Sequence, residues 1–195
     1  MRKASIARKT SETEIEVELC LEGTGRCEIS TGVPFLDHML EQMARHGLLD
    51  IALRAQGDLE VDSHHTVEDV GICMGKAIRS ALGDARGIVR FGQAQVPMDE
   101  SLVSVALDIS GRPYLVYKVF MDEERIGTFP VALVQEFFRA LSVHAGITLH
   151  IHGLEGSNAH HSVEAAFKAF GRALAQAAVL DERIQGVPST KGSLE

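Results

Sequence analysis

Asp62-Ser63-His64-His65-Thr66-Val67-Glu68-Asp69-Val70 returns later in the chain as Asn158-Ala159-His160-His161-Ser162-Val163-Glu164-Ala165-Ala166. Both stretches read polar, small, His-His, hydroxyl, Val, one residue of Glu. Upstream of each lies a matching segment, FLDHMLEQMARHG (35–47) and VQEFFRALSVHAG (134–146). Aligning His46 with His144 sets His38 opposite Glu136. The chain therefore contains an internal duplication, with halves at 1–86 and 87–195, in one unit spanning 1–195.

Hydrophobic periodicity gives both halves the same order of elements. Thr13–Leu21 alternates polar and apolar, as a strand with one buried face must. Ser5–Lys9 and Cys27–Ser30 read as shorter strands. Phe35–His46 has helical spacing, enters through Pro34 and stops at Gly47. Leu48–Ala55 is a strand and His65–Leu82 a helix ending at Gly83. In the second half Gly92–Pro97, Leu102–Ile109 and Tyr114–Phe120 read as strands, Pro130–His144 as a helix, Thr148–His152 as a strand and Ser162–Leu180 as a helix. Each half is three strands, helix, strand, helix. The expected architecture is α+β, with two four-stranded sheets and the helices packed between them. The tail 186–195 is irregular.

The chain has 195 residues, 45% hydrophobic and 24% charged, which suits a folded protein. No apolar run approaches the roughly 18 residues of a membrane span, and no signal-peptide core follows Met1. Cytoplasm is the expected compartment. Three cysteines without a Cys-x-x-Cys argue against a disulfide framework or a thiolate metal site. A net charge of −8 argues against nucleic acid or an anionic membrane as partner, but not against a small phosphorylated ligand. Aromatic residues at 5% leave little for base or sugar stacking.

Of nine histidines, His64-His65 and His160-His161 are adjacent pairs. Residues three and four apart share a helix face, so each Glu neighbours both histidines before it. Adjacent residues diverge by about 100° around a helix, so the two histidines of a pair are expected to serve different ions. The two motifs supply His64, His65, Glu68, His160, His161 and Glu164. With His38 and Glu136 from the equivalent helix positions, eight ligands suffice for two ions with positions left open. Imidazole and carboxylate without thiolate suit manganese, iron or zinc, and an oxygen-tolerant site favours manganese. Asp62, Ser63 and Asn158 are placed to cap the two helices. Gln42 and His46 lie one and two turns beyond His38 on the same face. Pro188-Ser189-Thr190-Lys191-Gly192 offers hydroxyls, backbone amides and an ammonium to a phosphate.

TGVPFLDHMLEQMARHG (31–47), DSHHTVEDVGI (62–72), DISGRPYLVY (108–117), TLHI (148–151), GSNAHHSVEAAFKAFGRALAQA (156–177) and PSTKGSL (188–194) together resemble the imidazoleglycerol-phosphate dehydratases. The resemblance runs over nearly the whole chain in family order. It implies a histidine-biosynthesis lyase with two Mn²⁺ per active site that converts imidazole glycerol phosphate to imidazole acetol phosphate. It also implies a homo-oligomer of twenty-four subunits with active sites shared between neighbours. Some members carry a fused phosphatase domain, for which this chain has no room. The resemblance points to Glu12 as the carboxylate that moves protons and contacts substrate, acting with Glu68 and Glu164. It points to Arg90, Arg112 and Lys168 near the phosphate, beside Ser189, Thr190 and Lys191. Position 136 is often His in the family, so Glu136 departs from the commoner pattern. A ketone product with phosphate retained, rather than release of inorganic phosphate, separates this reading from a dimetal phosphohydrolase, and binding of an imidazole phosphate separates it from a metal store.

Overall fold

The computed structural model describes residues 1–194. The first half comprises β1 (Lys3–Lys9), β2 (Thr13–Cys20), β3 (Cys27–Ser30), α1 (Pro34–Gly47), β4 (Asp50–Gly57) and α2 (His64–Leu82). The second comprises β5 (Phe91–Met98), β6 (Ser101–Asp108), β7 (Tyr114–Lys118), β8 (Arg125–Ile126), β9 (Phe129–Pro130), α3 (Ala132–Ala145), β10 (Thr148–Glu155) and α4 (Ala159–Ala178). The two large sheets have the same strand order, β1-β2-β4-β3 and β5-β6-β10-β7. In each, three strands run antiparallel and the fourth lies parallel to its neighbour. A parallel pair cannot be joined by a tight turn and needs a crossover; α1 and α3 are those crossovers.

Alternation in β2 explains its orientation. Ile15, Val17 and Leu19 are buried, while Glu14, Glu16 and Glu18 face outward. The buried face of the first sheet is covered by α2 and α1, and that of the second by α4 and α3. Across the middle, α2 packs on α3 and α1 on α4. The helices thus lie between the sheets, and each helix pair joins one half to the other. Phe137 and Phe138 of α3 meet Phe167 and Phe170 of α4 at ring separations of 4.8–5.5 Å, filling the centre.

Glycine permits both helix pairs to approach closely. A Cβ at Gly75 of α2 would strike the carbonyl oxygen of Leu141 in α3; one at Gly171 of α4 would strike that of Met43 in α1. These contacts are equivalent under the duplication, and they set the spacing of the helices that carry the histidines.

Several boundaries differ from the periodicity reading. Leu48 is the left-handed C-cap of α1 (φ 52°), matched by Gly146 after α3 (φ 69°), so β4 starts only at Asp50. Pro130 does not open α3; it pairs with Arg125 in the short β8–β9 hairpin, an insertion without counterpart in the first half. Phe120 lies beyond β7 and is 87% exposed. The last helix ends at Ala178, and Leu180 bridges to Ile88 instead. Asn158 caps α4 by accepting the His161 N–H at 3.2 Å, and Asp62 accepts the His64 N–H at 2.7 Å, but Ser63 makes no side-chain cap.

Candidate metal centre

At the junction of α1 and α4, His38, His160 and Glu164 come together. His160 and Glu164 are one turn apart, so both project from the same face of α4. His38 enters from α1, whose position the Gly171 contact fixes. The Nε2 of His38 lies 3.2 Å and that of His160 3.1 Å from the same oxygen, Glu164 Oε2. The other oxygen, Oε1, accepts from Lys168 Nζ at 2.7 Å. Glu164 is buried, which by itself raises a carboxyl pKa; the bonds from Lys168, His38 and His160 outweigh this and leave it below its ordinary value. The rings of Phe35 and His160 meet in a T-shaped contact, and Phe129 of the inserted hairpin backs Phe35.

The equivalent place in the other helix pair holds His64 and Glu68 of α2 with Glu136 of α3. His64 Nε2 is 3.9 Å from Glu68 Oε2. Arg139, one turn beyond Glu136, pairs with Glu136 and also lies 3.7 Å from Glu68 Oε1. Thus Glu136 faces the same motif that His38 faces in the other pair, but with a guanidinium between the two carboxylates.

The second histidine of each motif turns away from the first. Ring centroids are 6.2 Å apart in both pairs, with planes at 89° and 79°. His65 Nδ1 lies 3.0 Å from Asp58 and 3.9 Å from Glu12. His161 Nδ1 lies 2.9 Å from Glu100, while its Nε2 is 3.9 Å from Asp99. The His161 bond holds the Glu100 carboxyl down to about 2. Within one chain, His65 and His161 therefore join neither of the groups that contain His64 and His160.

Glu12 sits in the turn between β1 and β2. Its carboxylate accepts no hydrogen bond among the described residues, and its side chain is 51% exposed. The turn itself is rigidly held: Thr10 Oγ1 accepts the Glu12 and Thr13 N–H groups, and buried Thr13 donates its hydroxyl to Asp69, which also pairs with Arg8.

The remaining expected residues form a separate pocket. Arg90, Arg112, Pro188, Ser189, Thr190 and Lys191 line a cavity of about 540 Å³. Arg90 is largely spent on structure: Nε donates to Asp108 at 2.6 Å and Nη1 to the Pro188 carbonyl at 2.8 Å, which fastens the tail. Arg112 is more than half exposed, and Lys191 is exposed as well. None of these residues belongs to either histidine group. Lys168 is absent from this pocket and is engaged by Glu164. Gln42 is half-buried on α1. His46 lies on the Lys168 side of the helix, where burial and then the cations of Lys168 and Arg172 lower its pKa.

Asp58, Glu100 and Arg139 were not expected from sequence. They lie in turns or on an exposed helix face, where no periodic pattern marks them. The donor set His38, His160, Glu164 fits a divalent transition ion: two imidazole nitrogens converge on one carboxylate oxygen, with no thiolate and fewer than four protein ligands. The three cysteines, Cys20, Cys27 and Cys73, are all free and take no part.

A family model described as imidazoleglycerol-phosphate dehydratase matches residues 31–174. Imidazoleglycerol-phosphate dehydratase of Burkholderia multivorans is 59% identical over 195 residues, covering 100% of both chains. That of Moorella thermoacetica is 58% identical over 193 residues, covering 99% of this chain and 98% of its own. Among solved structures, the Staphylococcus aureus dehydratase superposes with a TM-score of 0.84 at 39% identity, covering 92% of this chain and 99% of its own. The Pyrococcus furiosus protein, solved in complex with (S)-C348, gives 0.85 at 42% identity, covering 97% of this chain and 100% of its own. With identity this high over full length and the same duplicated α+β fold, the chain belongs to the imidazoleglycerol-phosphate dehydratase family, the hydro-lyases of histidine biosynthesis.

Proposed function

We propose that this chain dehydrates imidazole glycerol phosphate to imidazole acetol phosphate in a metal-dependent reaction, with two Mn²⁺ per active site. The observation that carries the reading is the approach of His38 Nε2 and His160 Nε2 to one oxygen of Glu164. His64, Glu68 and Glu136 supply the second, duplicated set, and His65 and His161 complete the eight ligands. Bound there, divalent ions would stabilise the deprotonated form of the substrate's imidazole ring, whose electrons can expel the hydroxyl on the adjacent carbon.

The chain's own groups do the rest. Glu12, whose carboxylate accepts no hydrogen bond among the described residues, takes the proton from the carbon next to the departing hydroxyl. Arg112, Lys191 and the hydroxyls of Ser189 and Thr190 bind the phosphate, while Arg90 holds Pro188 and so shapes that loop. Gln42, His46 and Lys168 line the side of the site nearest α1 and α4. Glu68 and Glu164 serve as the motif carboxylates.

His65 and His161 stand apart from the histidine groups of their own chain, and the phosphate pocket shares no residue with them. Both facts favour a homo-oligomer in which neighbouring copies complete each site, and twenty-four subunits is the number that the family resemblance implies. Residues 1–86 and 87–195 are the repeats of one dehydratase domain. No helix among the described residues is long and apolar enough to cross a membrane, and the free cysteines accord with the cytoplasm.

The test is to incubate manganese-loaded protein with imidazole glycerol phosphate and follow ketone formation beside a chelator-treated control. Metal-dependent ketone with phosphate retained is expected. Bound metal without ketone, or release of inorganic phosphate, overturns the reading.

A further inference from the structure

The duplication superimposes the surroundings of His65 and His161 residue by residue. Gly57 ends β4 against Thr66 and Thr13; Gly156 follows β10 against Ser162 and Ser101. Thr13 and Ser101 open equivalent strands, so Glu12 and Glu100, each immediately before them, occupy equivalent turns. Their carboxylates nevertheless do different things. Beside His65 there are two acids: Asp58 takes Nδ1 at 3.0 Å, and Glu12 stands off at 3.9 Å. Beside His161 the position following the glycine is Ser157, which offers no carboxylate, and Glu100 takes Nδ1 itself at 2.9 Å.

Glu100 is fully committed in that place. Its Oε2 accepts from His161, while Oε1 accepts the Ser101 hydroxyl at 2.9 Å and the Asn158 N–H at 3.2 Å. Asn158 in turn caps α4 at His161. A carboxylate only accepts, so an imidazole bonded to it through Nδ1 carries its proton there and presents the Nε2 lone pair.

We propose that Glu100 is a positioning residue, which holds His161 by Nδ1 and so leaves Nε2, which faces exposed Asp99 at 3.9 Å, as a metal donor, the part Asp58 plays for His65. This assignment rests on the proposed metal-dependent reading. It also accounts for the unequal fates of two equivalent glutamates. Asp58 relieves Glu12 of the orienting task and leaves it free to move a proton; Glu100 has no such substitute. Carboxylates hydrogen-bonded to ligating histidines typically change metal affinity by about 10- to 100-fold when removed.

The experiment compares Glu100→Gln, which keeps an acceptor for Nδ1–H, with Glu100→Met, which keeps the length but not the acceptor. Manganese affinity is measured by titration against free Mn²⁺, read by electron paramagnetic resonance. Thermal unfolding in chelator is measured in parallel, and the Glu100 turn is exposed enough for both variants to fold. The Met variant should bind manganese about 10- to 100-fold more weakly, the Gln variant close to the parent, and both should unfold near the parent temperature. Equal affinities for Met and parent overturn the assignment. So does equal weakening of Gln and Met, which would reduce Glu100 to a turn contact. A parent that binds no manganese overturns the metal-dependent reading itself, which separates the two failures.

Discussion

His38 Nε2 lies 3.2 Å from Glu164 Oε2, although the two residues belong to different halves of the duplicated chain. The same oxygen faces His160, and the same carboxylate holds Lys168. Glu164 is thus the hub through which α1 and α4 share one group. Glu164→Gln preserves volume but replaces one oxygen by an N–H donor that cannot face Lys168 and two imidazoles alike. If an ion there supplies several kcal/mol of charge stabilisation, turnover should fall by at least ~100-fold. Metal content measured by elemental analysis should fall with it. Undiminished turnover would remove Glu164 from the site.

The two glycine contacts predict paired packing mutants. Gly171→Ala forces α4 away from Met43 in α1, and Gly75→Ala forces α2 away from Leu141 in α3. Backbone carbonyls cannot yield as a side-chain tip can, so each should cost about 1–3 kcal/mol by chemical denaturation. Gly171→Ala should also loosen the group containing His38, because it separates the helices that bring His38 to Glu164. Gly75→Ala should instead disturb Glu68 and Glu136. If both variants match the parent, the close approach is not tight enough to set the spacing.

Much of this arrangement was legible because burial imposes a period. β2 alternates Glu with Ile, Val and Leu, and α1 and α4 carry their apolar stripes, so the order of elements along the chain could be read directly, and the repeated His-His-x-x-Glu motif revealed the duplication. Spacing also placed His38 opposite Glu136. What escaped lies where no period operates. Leu48 takes a left-handed cap that Gly146 takes in the other half, and a leucine gives no hint of it. The β8–β9 hairpin interrupts the repeat. Glu100 and Arg139 meet His161 and Glu68, which lie far away in sequence, and Asp58 reaches His65 only across the turn that follows β4, so no periodic pattern distinguishes these three from solvated charges.

Asp50 gives a prediction about acid. Its Oδ1 accepts the Thr24 N–H at 2.7 Å and the Arg26 N–H at 3.0 Å, closing the loop that leads into β3. These bonds hold its pKa at about 2, below the ordinary 3.8. The ionised form is therefore favoured by folding. Its contribution is present above 3.8 and is lost as pH falls through about 2. The stability gap between the parent and Asp50→Asn, from urea unfolding at stepped pH, should be constant above that window and close within it. A gap that does not change with pH would show that the carboxylate charge is not what closes the loop.

Glu12 separates proton transfer from metal holding. Its carboxylate is anchored only through its backbone, by Thr10 and by the Asp58 N–H that donates to the Glu12 carbonyl at 3.1 Å. Glu12→Gln should keep manganese content and thermal stability while lowering kcat by about 10²- to 10⁴-fold. Full activity in that variant would exclude Glu12 from the reaction.

Glu136 stands where the duplication places a counterpart to His38, yet it pairs with Arg139, which reaches Glu68 as well. Two functions are consistent with that geometry. In one, Glu136 is a metal ligand whose charge Arg139 offsets until an ion is bound; in the other, it is only the anchor of Arg139. Substitution distinguishes them. An imidazole can ligate but cannot pair with a guanidinium, so Glu136→His should retain two manganese ions per chain if the residue is a ligand. Glu136→Ala should then retain one tightly held ion, because the other site loses a ligand and keeps only His64 and Glu68 from its own helix pair. If Glu136 serves Arg139 alone, the His and Ala variants should behave alike and both should keep the parent stoichiometry. Equilibrium dialysis against limiting Mn²⁺ reads the difference directly, and the ligand role predicts that His and Ala part company.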